Sequence, residues 1–135
     1  MGLKSYQRTG VLRKSDLKAQ GLIPNIERLR KGPVVIVECV ENIPCNPCVD
    51  ACPRQAITMK GNLTDTPQVD FNRCNGCGMC VARCPGLAIF VVNYSYSLKE
   101  ATVSLPYELL PRPEPGEKVV ALNRQGKKVC DGRVV

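Results

Sequence analysis

Apolar residues in this chain gather in short runs separated by turn residues, without the long 3.6-residue periodicity of an amphipathic helix. Val34–Val37 is an unbroken apolar run just after Gly32-Pro33, the length and β-branched content of a buried strand. Ala88–Val92 is a second such run, and Ile57–Met59 and Val69–Phe71 are shorter ones. The expected pairing is antiparallel, Val34–Val37 with Ala88–Val92 and Ile57–Met59 with Val69–Phe71. Ahead of this segment, residues 1–32 are polar and basic; Ser15 is the expected cap of a short helix, and a second helix is expected over Asn25–Arg30. Behind it, a strand is expected at Ala101–Leu105. Pro111, Pro113, Pro115 and Gly116 then read as a loop, and Lys118–Leu122 and Lys127–Cys130 flank the turn Asn123-Arg124-Gln125-Gly126 as a hairpin. Three stretches result: a basic N-terminal extension (1–32), a central unit (33–93) and a C-terminal strand and hairpin extension (94–135). The last is too short for an independent enzyme domain and is expected to pack on the central unit or on a partner.

The central unit repeats itself. A shift of 32 residues places Cys45, Cys48 and Cys52 on Cys77, Cys80 and Cys84, Val49 on Val81, Pro53 on Pro85, and Ala56-Ile57 on Ala88-Ile89. Agreement at so many positions implies two similar supersecondary units, each a cysteine loop, a short helical turn around the last cysteine and a strand. The fold class is therefore α+β, with two short helices and two antiparallel strand pairs related by a pseudo-twofold.

Nine cysteines without a single histidine is an unusual inventory. The opening MGLKSYQRTG lacks the apolar core of a secretory signal, and no apolar run approaches the length of a membrane-spanning helix. A reducing cytoplasm is the expected compartment, where clustered thiols serve as metal ligands more often than as crosslinks. Missing histidine removes the usual zinc-hydrolase chemistry. No nucleophile–base pair and no glycine-rich phosphate loop is present, so Thr64, Asp65, Asp70 and Glu108 are read as ordinary loop residues and no catalytic residue is assigned.

The spacing of the cysteines is specific. Cys74, Cys77, Cys80 and Cys84 followed by Pro85 spell C-x2-C-x2-C-x3-C-P, the run that wraps cubane iron–sulfur clusters in bacterial ferredoxins. Gly76 and Gly78 let the backbone approach a cube closely, and convergent amides would stabilise its negative charge. Zinc knuckles also use C-x2-C, but they normally lack the third cysteine and the trailing C-P. Residues 33–93 thus resemble the two-cluster ferredoxin family. In that family the cysteine before the proline ligates the other cluster. The resemblance implies two [4Fe–4S] clusters, one on Cys74, Cys77, Cys80 and Cys52, the other with three corners on Cys45, Cys48 and Cys84.

The fourth corner of the second cluster is open in the sequence. By the repeat it falls on Asn42, an amide and a poor iron ligand, whereas Cys39 lies three residues earlier where the chain leaves the Val34–Val37 strand. Cys39 is the favoured replacement, with Pro44 and Pro47 stiffening the longer loop. A [3Fe–4S] cluster lacking this corner, or a non-cysteine ligand, are the alternatives. Cys130 stands apart and is expected to be a buried or half-buried free thiol.

Charge adds a hint about partners. The formal net charge is +7, and residues 1–31 hold eight Lys or Arg against two acids, while residues 32–111 hold five against seven. Such a basic arm is a solvated face or a docking element for an acidic protein; without aromatic interleaving it does not read as a nucleic-acid site.

A narrower resemblance rests on three stretches. They are Glu38-Cys39-x-Glu41-x-Ile43-Pro44-Cys45-Asn46-Pro47-Cys48-x-x-Ala51-Cys52-Pro53, Cys84-Pro85-Gly86-Leu87-Ala88-Ile89-Phe90 and Leu105-Pro106-Tyr107-Glu108, with Thr9-Gly10-Val11-Leu12 near the start. These look like the small ferredoxin-like subunit found beside FAD-dependent amino-acid and amine dehydrogenases, which oxidise proline, hydroxyproline, sarcosine or opines. That resemblance implies FAD-containing partner subunits in a hetero-oligomer, no flavin on this chain, no membrane or nucleic-acid partner, and an electron-relay role. A free diffusible ferredoxin is the alternative, against which the basic extensions weigh; a cluster-containing regulatory or nucleic-acid-binding protein is a remote third.

Overall fold

The computed structural model describes residues 4–135. Its order is three short helices, α1 (Ser5–Thr9), α2 (Lys14–Ala19) and α3 (Ile26–Arg30), then β1 (Val34–Val37), α4 (Pro47–Asp50), β2 (Ile57–Thr58), β3 (Gln68–Val69), α5 (Met79–Arg83), β4 (Ile89–Asn93) and β5 (Thr102–Ser104), with β6 (Lys118–Leu122) and β7 (Lys128–Arg133) at the end. Helices and strands mix in an α+β arrangement, and none of the described helices is long and apolar enough to cross a membrane.

β1 pairs antiparallel with β4, Val34 opposite Val92 and Val37 opposite Ile89, and β2 pairs with β3, Ile57 opposite Val69. β1 and β4 are far apart in sequence, so their pairing brings the two ends of the central unit together. β4 also pairs with β5, Val92 opposite Val103, making a three-stranded sheet in the order β1-β4-β5. The strand expected at Ala101–Leu105 therefore joins the core sheet. The 32-residue repeat has a hydrogen-bond counterpart: Glu38 N–H donates to the Ala88 carbonyl and Asp70 N–H to the Ala56 carbonyl, both at 2.8 Å. Positions 38 and 70, like 56 and 88, are related by the repeat, so the two bonds are equivalents of each other.

The core is small and aliphatic. Val34, Val35, Val37, Ile57 and Ile89 are at most 1 % exposed. Each buried aliphatic side chain contributes roughly 1.5–3 kcal/mol by leaving water. Tyr6, Leu17 and Leu22 from the N-terminal extension join the same core cluster. Leu22 also accepts a hydrogen bond from Val37 N–H at 3.3 Å, tying the extension to β1. The basic residues of the extension conceal this in the sequence, because its few buried apolar positions are scattered among them.

Local caps differ from expectation in one place. α2 begins at Lys14, so Ser15 lies inside it; the Asp16 carboxylate instead accepts from Arg13 N–H at 2.8 Å. An ionised acceptor one turn in satisfies the free amide better than a hydroxyl within the helix. Asn25 does cap α3, accepting from Arg28 N–H at 2.8 Å. The hairpin β6–β7 pairs Lys118 with Arg133 and Ala121 with Cys130, extending past the expected Lys127–Cys130 span. Its strands pack chiefly on each other, and no hydrophobic residue beyond Val91 is fully buried.

Candidate metal centre

α4 and α5 occupy equivalent places in the two halves and pack against each other. Each carries one buried cysteine, Cys48 in α4 and Cys80 in α5. Pro47 starts α4, where a missing N–H is harmless, and Gly78 in a left-handed conformation (φ 78°) precedes α5 as its cap. Both helices stop just before the last cysteine of their loop, Cys52 and Cys84, and so precede it where the sequence pattern had centred them on it.

The turn after the last cysteine has the same form in both halves. Gln55 and Leu87, three residues on, have positive φ of 51° and 53°. A bulky residue in this region costs on the order of 1–3 kcal/mol and persists only where its surroundings enforce it. The turn returns the next amide to the cysteine: Ala56 N–H donates to Cys52 Sγ at 3.2 Å and Ala88 N–H to Cys84 Sγ at 3.5 Å. Gly76 N–H likewise reaches Cys74 Sγ at 3.4 Å. Amide donors aimed at sulfur favour thiolate over thiol and moderate the charge of a bound cluster.

Eight of the cysteines fall into two neighbourhoods. One recess between the halves is lined by Cys52, Cys74, Cys77 and Cys80, with Val35, Ala56, Ile57 and Val91 among its walls. Cys80 is pushed up to about 11, first by burial and then by the like charges of Cys74, Cys52 and Cys77. The other neighbourhood holds Cys39, Cys45, Cys48 and Cys84. Cys48 is pushed up to about 11 by burial, then by Cys84, Cys39 and Cys45. Cys39 is raised by burial and by Cys84 and Cys45, against the lowering effect of the Glu41 amide. In each neighbourhood the cysteine before the proline comes from the opposite half.

Converging thiols, whose like charges help to push up Cys39, Cys48 and Cys80, are costly as bare anions and fit a cationic group that neutralises them. Among the described residues no three His, Cys, Asp or Glu stand close enough to form a ready-made group for a metal ion. The cradle is shaped by Gly76, at φ 70°, where an added Cβ would lie 2.5 Å from the Pro33 Cβ and 2.7 Å from its carbonyl carbon. Donor type and the amides on sulfur suit an iron–sulfur cluster.

Asn42 is exposed, and its amide donates to the Thr64 carbonyl at 3.1 Å, whereas Cys39 sits half-buried beside the sulfurs. Cys130 is exposed, contrary to the expected buried or half-buried thiol, because the strands of the terminal hairpin pack chiefly on each other. A larger open groove of about 610 Å³, beside Asn25, Arg28, Thr58 and Asp70, contains no cysteine. One contributor escaped sequence reasoning altogether. Arg28 donates to the carbonyls of Phe71 (2.7 Å), Gly32 (3.2 Å), Pro33 (3.1 Å) and Cys74 (2.6 Å). Nothing in the local pattern of α3 distinguishes it from its basic neighbours.

Residues 38–88 match the family model of the 4Fe-4S dicluster domain. The chain is 43% identical over 61 residues to an uncharacterized ferredoxin of Methanocaldococcus jannaschii, covering 45% of this chain and 36% of that protein. It is 42% identical over 59 residues to the ferredoxin-type protein NapF of Haemophilus influenzae, covering 41% and 34%. A dihydromethanopterin reductase (acceptor) of Methanosarcina mazei is 43% identical over 47 residues, covering 33% and 19%. The chain spans about a third of the length of the first two. No solved structure matches it significantly. These likenesses support a bacterial-type ferredoxin segment at the centre of the chain.

Proposed function

We propose that this chain is an iron–sulfur electron-transfer subunit holding two [4Fe–4S] clusters in crossed sets within a pseudo-twofold core. Cys74, Cys77, Cys80 and Cys52 hold the first; Cys45, Cys48, Cys84 and Cys39 hold the second, with Cys39 replacing the ligand absent at Asn42. The carrying observation is the recess that gathers Cys52 with Cys74, Cys77 and Cys80 across the two halves. When bound, such clusters accept and donate single electrons. The chain's own residues position them, surround them with aliphatic side chains, and set amides on the sulfurs.

The electrons are passed within or out of a multi-subunit flavin-dependent amino-acid or amine dehydrogenase. Support comes from the sequence resemblance and from residues 94–135, where Leu98, Leu109, Leu110, Val120, Leu122 and Val129 are all more than half exposed. An isolated two-stranded hairpin is marginal in water, so β6–β7 suits a covering partner. NapF and the methanopterin reductase favour a second reading, in which the same segment serves a different redox enzyme.

Anaerobic purification from the native organism tests the proposal. Near eight irons and eight sulfides per chain, with a flavin-bearing subunit retained through gel filtration, are the expected results, on the basis of about four irons per cubane. Zinc in place of iron refutes the clusters. A monomer carrying the full iron complement refutes only the complex, leaving a diffusible carrier.

A further inference from the structure

We propose that Arg28 is the positioning residue and tuning cation of the cluster on the Cys74 side; the inference rests on the cluster reading above. Its guanidinium bridges segments distant in sequence. Nε and one terminal nitrogen bond Phe71 and Cys74 in the cysteine loop, and the terminal nitrogens also bond Gly32 and Pro33 ahead of β1. Pro33 is the residue against which Gly76 of that same loop packs without room for a Cβ. The planar fork thus closes the loop over Pro33 from outside while the glycine closes it from within, a geometry a point-charge lysine does not reproduce.

The same contacts fix a positive charge within hydrogen-bond distance of a ligand's own carbonyl, 2.6 Å from Cys74 O. Reduction adds one electron to a negatively charged cluster, and a nearby cation favours the reduced form. Arg28 lies outside the Cys52 and Cys74 recess but is half-buried, so solvent screens it less than Arg54, which lines that recess and is exposed. The repeat places Lys60 as the counterpart of Arg28 on the second cluster's side, and Lys60 is exposed and does not match its set of carbonyl contacts. The influence therefore falls on one cluster.

Anaerobic voltammetry of the full-length holo-protein tests this, with Arg28→Gln, Arg28→Lys and Arg54→Gln beside the wild type. The Cys74-side wave is assigned as the one that Cys77→Ser alters. In Arg28→Gln that wave moves negative, the reduced-to-oxidised ratio at fixed potential falling about tenfold, or about 59 mV for a one-electron couple. The other wave stays. Arg28→Lys moves the same wave less, and Arg54→Gln less than Arg28→Gln. Both waves unmoved, or both moved equally, overturns the proposal. If Arg28→Gln does not retain its cluster, Arg28→Lys carries the test: movement of that wave alone supports the proposal and an unmoved wave overturns it. Wild-type protein without cluster iron defeats the cluster reading instead.

Discussion

Gly76→Ala is the most discriminating single perturbation of the cysteine loop. At φ 70° an alanine loses about 1–2 kcal/mol to the left-handed conformation alone. Its Cβ would also lie 2.5 Å from Pro33 Cβ, 2.7 Å from its carbonyl carbon and 2.9 Å from its oxygen. Two of these atoms are backbone, held by the Arg28 bond to Pro33 O and by the start of β1, so they cannot swing aside. Overpacking of this kind adds about 1–3 kcal/mol. Gly78 supplies the internal control: φ is 78°, but nothing lies within 4 Å of its would-be Cβ, so Gly78→Ala carries only the backbone cost. The difference of about 1–3 kcal/mol corresponds to roughly 5–150-fold in the open population of the loop. The assay is the rate at which visible cluster absorbance bleaches under a chelator in mild urea, where loss follows the opened state. Gly76→Ala is expected to bleach faster than Gly78→Ala by that factor. Equal rates would refute the claim that Pro33 forms the wall of the cradle.

The remaining predictions use other parts of the molecule. Cys39→Ser lowers the iron content below that of the wild type or yields a three-iron EPR signal, while Asn42→Ala changes neither; the reverse pattern removes Cys39 from the ligand set. Ile89→Ala truncates a side chain 1 % exposed opposite Val37 and costs about 2–5 kcal/mol, read as a lower urea midpoint for cluster bleaching. Arg124→Ala breaks an ion pair with Glu38 whose arginine is 69% exposed, so it changes stability by less than about 1 kcal/mol in the same titration. Deleting residues 112–135 removes no fully buried side chain, so iron content stays at the wild-type level while retention of a partner subunit is lost.

The legibility of the fold and the site in the sequence varied from residue to residue. The cysteines announce themselves because metal ligation demands particular atoms at particular spacings, and Val34–Val37 and Ile57 announce strands because burial demands apolar runs. The 32-residue offset even carries the paired bonds Glu38–Ala88 and Asp70–Ala56, since both halves repeat the same local chemistry. Tyr6, Leu17 and Leu22 were hidden among basic residues, and their place in the core depends on what folds back against them. Cys130 failed the opposite way: a lone cysteine in the terminal hairpin suggests burial, but burial requires a second layer, and β6 and β7 pack chiefly on each other.

Residue type and spacing were enough to establish that thiols in two repeated loops suit metal, and that short strands bracket them, because both properties are local. Folding in three dimensions was needed to bring sulfurs of the two halves together, with Cys39 near Cys45 and Cys84 and the Asn42 amide on the Thr64 carbonyl. It was needed too for the strained turns at Gln55 and Leu87 that return amides to sulfur, and for Arg28 closing the Cys74 loop. Those outcomes depend on groups from distant segments meeting in space. No spacing along a single chain encodes that meeting.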